Sequence, residues 1–164
     1  MLLERITYKK NIEDFSEIVI NRRLDKLLIS SDSKPDFDSL SFHFDYALNI
    51  VFCFESFKVL LLTSMTDKGV ETFWFDNKFD KPVEIKKEIK VDSILQSLQF
   101  ESKNGFDFPY KMTLTFSDKK LFIYCGEIYK TENSNLTYKI YDEMLLLFDN
   151  DIDVLNFENR INYG

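Results

Sequence analysis

The chain has 164 residues, 45% of them hydrophobic and 30% charged, a globular composition that excludes general disorder and suits one ordinary domain with a real core. Its 21 basic and 28 acidic residues give a net charge of −7, which repels phosphate backbones and points away from nucleic acid toward a basic protein partner. Apolar runs such as residues 59–62 are far too short to span a bilayer, and Glu4 and Arg5 come too early for a secretory leader, so a cytoplasmic protein without membrane contact is expected.

Near the N-terminus, Asn11 followed by Glu13 and Asp14 offers a cap and acids suited to a helix start, with Ile12, Phe15 and Val19 on one face. Residues 17–21 fit the start of a strand equally well. Residues 40–46 alternate apolar and polar side chains with a period of two, as a half-buried strand does, and Ile50, Phe52 and Phe54 carry the alternation on. A turn at 55–58 leads into a strand at 59–63, and the Asp67-Lys68-Gly69 turn signal leads into another at 70–75.

Later the same events recur. Met112, Leu114 and Phe116 alternate with Thr113 and Thr115, residues 117–120 turn, and 121–125 return. Ile50 laid on Met112 gives an offset of 62 that also places Val59 on Leu121 and Leu61 on Ile123. Upstream, residues 23–28 match 90–95 in type; downstream, 72–76 match 137–142 after a shift. The pattern suggests two similar β-meander or hairpin units, about 24–77 and 91–148, inside a single domain spanning 1–164. The plainer account is that any two amphipathic hairpins look alike. Either way the expected class is α+β, predominantly antiparallel β. A helix should close the chain: acids at 149–153 supply its N-terminus, and Val154, Phe157 and Ile161 recur on one face.

The residues that could carry chemistry lack company. His43, the one histidine, has no nucleophile or acid motif near it, and Cys53 and Cys125 lie among apolar strand residues where a desolvated thiol is inert. Asp149, Asp151 and Asp153 have the spacing of a calcium loop, but Val154 stands where that loop needs glycine and Arg160 where it needs glutamate. Pairs such as Asp142 and Glu143 are expected by chance among 28 acids. No enzyme, metal or cofactor is therefore expected. What stands out is the acidic C-terminal third, where Glu127, Asp142, Glu143, Asp149, Asp151 and Asp153 are interleaved with Tyr129, Tyr138 and Tyr141. Tyrosines anchor contacts and carboxylates steer a basic partner, so these nine form the candidate partner-binding set, although an ordinary solvated face would read the same way.

The stretch 121–129, leading to Tyr141-Asp142-Glu143-Met144-Leu145, resembles the small immunity proteins of bacterial polymorphic-toxin systems. That resemblance implies a cytoplasmic protein that binds and blocks a cognate, basic toxin domain. Two other readings stand beside it: a structural adaptor that oligomerises through sheet edges, and a small-ligand-binding protein using a pocket between the two units.

Overall fold

Period-two alternation makes strands, and short turns join several of them as hairpins. The computed structural model describes residues 4–7, 16–31, 42–55, 57–64, 69–76, 87–102, 109–130 and 135–163. Its elements are β1 (Glu4–Thr7), a single helical turn α1 (16–19), β2 (Arg23–Ser31), β3 (Asp45–Phe54), β4 (Phe57–Ser64), β5 (Gly69–Asp76), β6 (Lys87–Glu101), β7 (Lys111–Phe116), β8 (Lys120–Lys130), β9 (Leu136–Phe148), α2 (Asp151–Arg160) and β10 (Ile161–Tyr163). The expected mainly antiparallel α+β class is observed. The helical face at Ile12 and Phe15 lies outside the described residues.

The ten described strands form one sheet in the order β1-β5-β4-β3-β2-β6-β7-β8-β9-β10. The sheet bends round until β3 also meets β9, with Asp45, Tyr46 and Ala47 opposite Leu147, Leu146 and Leu145. Six strands, β3-β2-β6-β7-β8-β9, thus close a ring. Its interior is mostly aliphatic: Leu24, Leu27, Ile29, Ala47, Ile50, Val91, Leu95, Met112, Leu114, Leu121, Ile123, Leu145 and Leu147, joined by Phe52, come from all six strands and are buried. At roughly 1.5–3 kcal/mol for each large side chain removed from water, this core is the main source of stability.

A second core lies on the outer side of the same strands. Phe122 and Tyr124 of β8 and Met144, Leu146 and Phe148 of β9 alternate with the inward residues, and α2 lays Val154 and Phe157 over them. Phe157 is the hub, with ring centroids 4.9 Å from Phe148, 5.1 Å from Tyr124 and 5.4 Å from Phe42 and Tyr138. The hydroxyl of Tyr124 donates to the Glu158 carboxylate, and Lys111 Nζ bonds the same group at 3.1 Å, clasping α2 to the sheet.

The hairpin offset of 62 reappears in the registers. Asn49, Ile50, Val51, Phe52 and Cys53 face Leu62, Leu61, Leu60, Val59 and Lys58; 62 residues on, Lys111 through Thr115 face Tyr124 through Lys120. The flanking alignments differ from those read in the sequence. β2 and β6 correspond as Leu24 to Leu95, an offset of 71, with a bulge after each of these two residues. β5 and β9 correspond as Val70 to Leu145, an offset of 75. Arg23 and Ile94, themselves equivalent at the offset of 71, pair directly with each other. A local two-fold axis therefore passes between them, relating β2–β5 to β6–β9.

Two irregularities shape the ring. Leu48 is an extra residue between Ala47 and Asn49 against β2, and there β3 exchanges its partner β9 for β4. Between β8 and β9, Cys125 faces Leu145 while Gly126 faces Ile140, so residues 141–144 are surplus on β9. An even surplus preserves the alternation, keeping Leu136 and Tyr138 on the same outer core as Met144 and Leu146. Gly126 is required at this crossing because a Cβ there would stand 2.4 Å from the Lys139 carbonyl oxygen.

Candidate functional site

The nine candidate partner-binding residues do not form one surface. Tyr138 is a correction: it is fully buried against Phe157 and its hydroxyl donates to the Cys125 carbonyl at 2.8 Å. Asp153 is a second, at 9% exposure. Asn150 is the N-cap of α2; its Oδ1 accepts from Asp153 N–H at 2.8 Å, and its Nδ2 donates to Asp153 Oδ2 at 2.7 Å. Asp153 is spent on that reciprocal cap, which stabilises the helix by about 1 kcal/mol. Side chains at Tyr141, Asp142 and Glu143 lie outside those described; their backbone forms the surplus in β9.

The remaining four separate into two places. Tyr129 is exposed and its hydroxyl donates to the half-buried Glu127. Asp149 and Asp151 are exposed at the start of α2, just beyond Phe148, which faces Phe122. Tyr129 lies seven positions beyond Phe122 on β8, about 23 Å along the strand. Only the Asp149–Asp151 end has further features.

There α2 turns two large apolar side chains outward, Ile152 at 72% and Leu155 at 58% exposure. They were legible in the sequence as apolar residues off the stripe of Val154, Phe157 and Ile161. Beside them, Asp149 helps line a recess of about 170 Å³ with His43, Phe44, Asp45, Lys87 and Leu147. The recess lies at the β3–β9 seam, where Asp45 faces Leu147. Buried Phe42 and Phe44 flank exposed His43, so the alternation read there is real although regular strand begins only at Asp45. Lys87, the first residue of β6, reaches Asp45 Oδ1 with its Nζ at 2.7 Å. Asp45 and Lys87 escaped notice in the sequence because only ring closure brings them to Asp149.

Elsewhere the polar groups serve the fold. Asp92, at φ 51° in the β6 bulge, accepts from Arg23; that bond and the guanidinium charge hold its carboxyl below the usual value. Ser93 donates to Asp118 at 2.9 Å and Lys119 to the Val91 carbonyl at 2.7 Å, tying the bulge to the β7–β8 turn. Both thiols are buried, and no disulfide joins them. Cys125 belongs to the ring core; Cys53 points to the opposite face from Phe52 and Phe54, and burial pushes its thiol pKa up. Among the described residues, no three His, Cys, Asp or Glu side chains are placed to hold a metal ion, and no helix is long and apolar enough to cross a membrane. No family model, curated protein or solved structure matches this chain.

Proposed function

We propose that the chain is an immunity protein that binds a basic toxin domain in the bacterial cytoplasm and blocks it by contact, with no chemistry of its own. The observation that carries this reading is the outward pair Ile152 and Leu155 beside the carboxylates Asp149 and Asp151. Apolar anchors bordered by acids suit a partner with an apolar centre and a basic rim. The net charge of −7 favours fast encounter with such a partner. Oligomerisation through sheet edges is the weaker reading, because the sheet ends in strands of only four and three residues, β1 and β10.

The test is co-expression with the toxin encoded beside this gene. Survival of the cells and a stoichiometric complex are expected. The double variant Ile152→Glu, Leu155→Glu should lose protection while keeping its melting temperature. Absence of protection by the unaltered chain rejects the reading, and full protection by the double variant moves the contact away from α2.

A further inference from the structure

We propose that the recess at the β3–β9 seam receives one basic side chain, an arginine or lysine, presented by the partner; the proposal rests on the protein-binding reading above and names the contact at its edge. The recess of about 170 Å³ is more than ten times the roughly 10–15 Å³ that one water needs, so it admits a side chain. Phe44 and Leu147 also border it, but both side chains are buried, so the surface it exposes is mostly polar.

The polar walls decide the sign. Two carboxylates, Asp45 and Asp149, face one ammonium, Lys87. Lys87 is committed to Asp45 at 2.7 Å. Asp149 accepts a hydrogen bond from the Asn150 amide at 3.0 Å, and no cation pairs with it among the described residues. An ionised carboxylate has about four acceptor sites, so most of its capacity is unused. An anion entering the recess would meet Asp149 unscreened, whereas a guanidinium or ammonium would complete a second pair parallel to the Lys87–Asp45 pair. His43, exposed, also lines the recess. Ile152, three residues beyond Asp149, lets apolar anchoring and charge recognition occur side by side.

The experiment is a ¹⁵N NMR titration of the whole chain at low salt with N-acetylargininamide, and separately with N-acetylglutamate. Saturable shifts confined to residues 43–45, 87 and 147–149 are expected with the arginine probe alone. Asp149→Asn, which keeps the acceptor oxygen facing Asn150, should weaken that binding about tenfold, the worth of one charge-assisted hydrogen bond. Glu17→Gln, an exposed acid on α1 outside the recess, should change it little. Absence of saturable shifts, equal affinity in Asp149→Asn, or preference for the glutamate probe overturns the proposal. The two readings fail separately. Arginine binding without toxin neutralisation removes the function and keeps the recess; neutralisation by a chain that ignores the arginine probe does the reverse.

Discussion

The β3–β4 and β7–β8 hairpins share one register residue for residue, yet among the described residues only the second carries a further core on its back. Inward residues match in kind: Ile50 and Phe52 in one, Met112 and Leu114 in the other, all inside the ring. Outward residues diverge. Val51 and Cys53 are buried outside both cores, whereas Phe122 and Tyr124 belong to the aromatic layer under α2. Alternation and turn length set register, and the outer face is left to vary. The candidate site lies where the second hairpin's additions meet the first hairpin's leading strand.

This comparison can be broken where the halves differ most. Phe157→Ala should cost about 4 kcal/mol in urea unfolding, since it empties the hub of the aromatic layer under α2. A loss below about 1 kcal/mol would mean that α2 merely decorates a self-sufficient ring. Gly126→Ala should follow at about 3 kcal/mol, because the new Cβ meets backbone at Lys139 and the Tyr138 ring. Smaller again, Tyr124→Phe should cost about 1.5 kcal/mol by removing the bond to Glu158; its counterpart in the first hairpin is Leu62, which has no hydroxyl to lose.

The smallest effect tests the two-fold axis. Arg23, through its hydrogen bond first and its charge second, holds the Asp92 carboxyl below its ordinary value. Because the folded value is the lower one, the stabilisation is present above the unfolded value and fades as pH falls through the folded one. Both groups are solvent-exposed, so the contribution is slight and screened by salt. Unfolding followed from pH 5 down to pH 2 should show a shallower acid-side fall for Arg23→Met than for the unaltered chain. Identical slopes would show that this pair leaves no mark on stability.

Much of the architecture was legible because hairpins write themselves locally. Thr113 and Thr115 between Met112, Leu114 and Phe116, followed by a four-residue polar turn, allow little else. The 15-residue β6 was legible only in part, since it bends through two bulges and serves β2 with one end and β7 with the other. Ring closure and the parallel β10 leave no local signature; both pairings join segments whose own patterns do not name a partner. At the candidate site, Asp149 and Asp151 were singled out in the sequence as acids interleaved with tyrosines. Tyr138 was misplaced although the signal existed: Leu136 and Tyr138 share a parity that puts them opposite Lys139. Asp45 and Lys87 were not legible, being neighbours only after the sheet has curled.

The change of partner at Leu48 bears on how the protein is made. As a nascent chain leaves the ribosome, β2 through β5 can assemble as soon as they emerge, but the leading end of β3 waits for residues 145–147, about a hundred positions later. Until then Asp45, Tyr46 and Ala47 present an unsatisfied strand edge next to the aromatic residues Phe42 and Phe44. Such distant pairings are slow to form, so closing the seam should be a late event in synthesis, and the half-made chain is the form most in need of a chaperone.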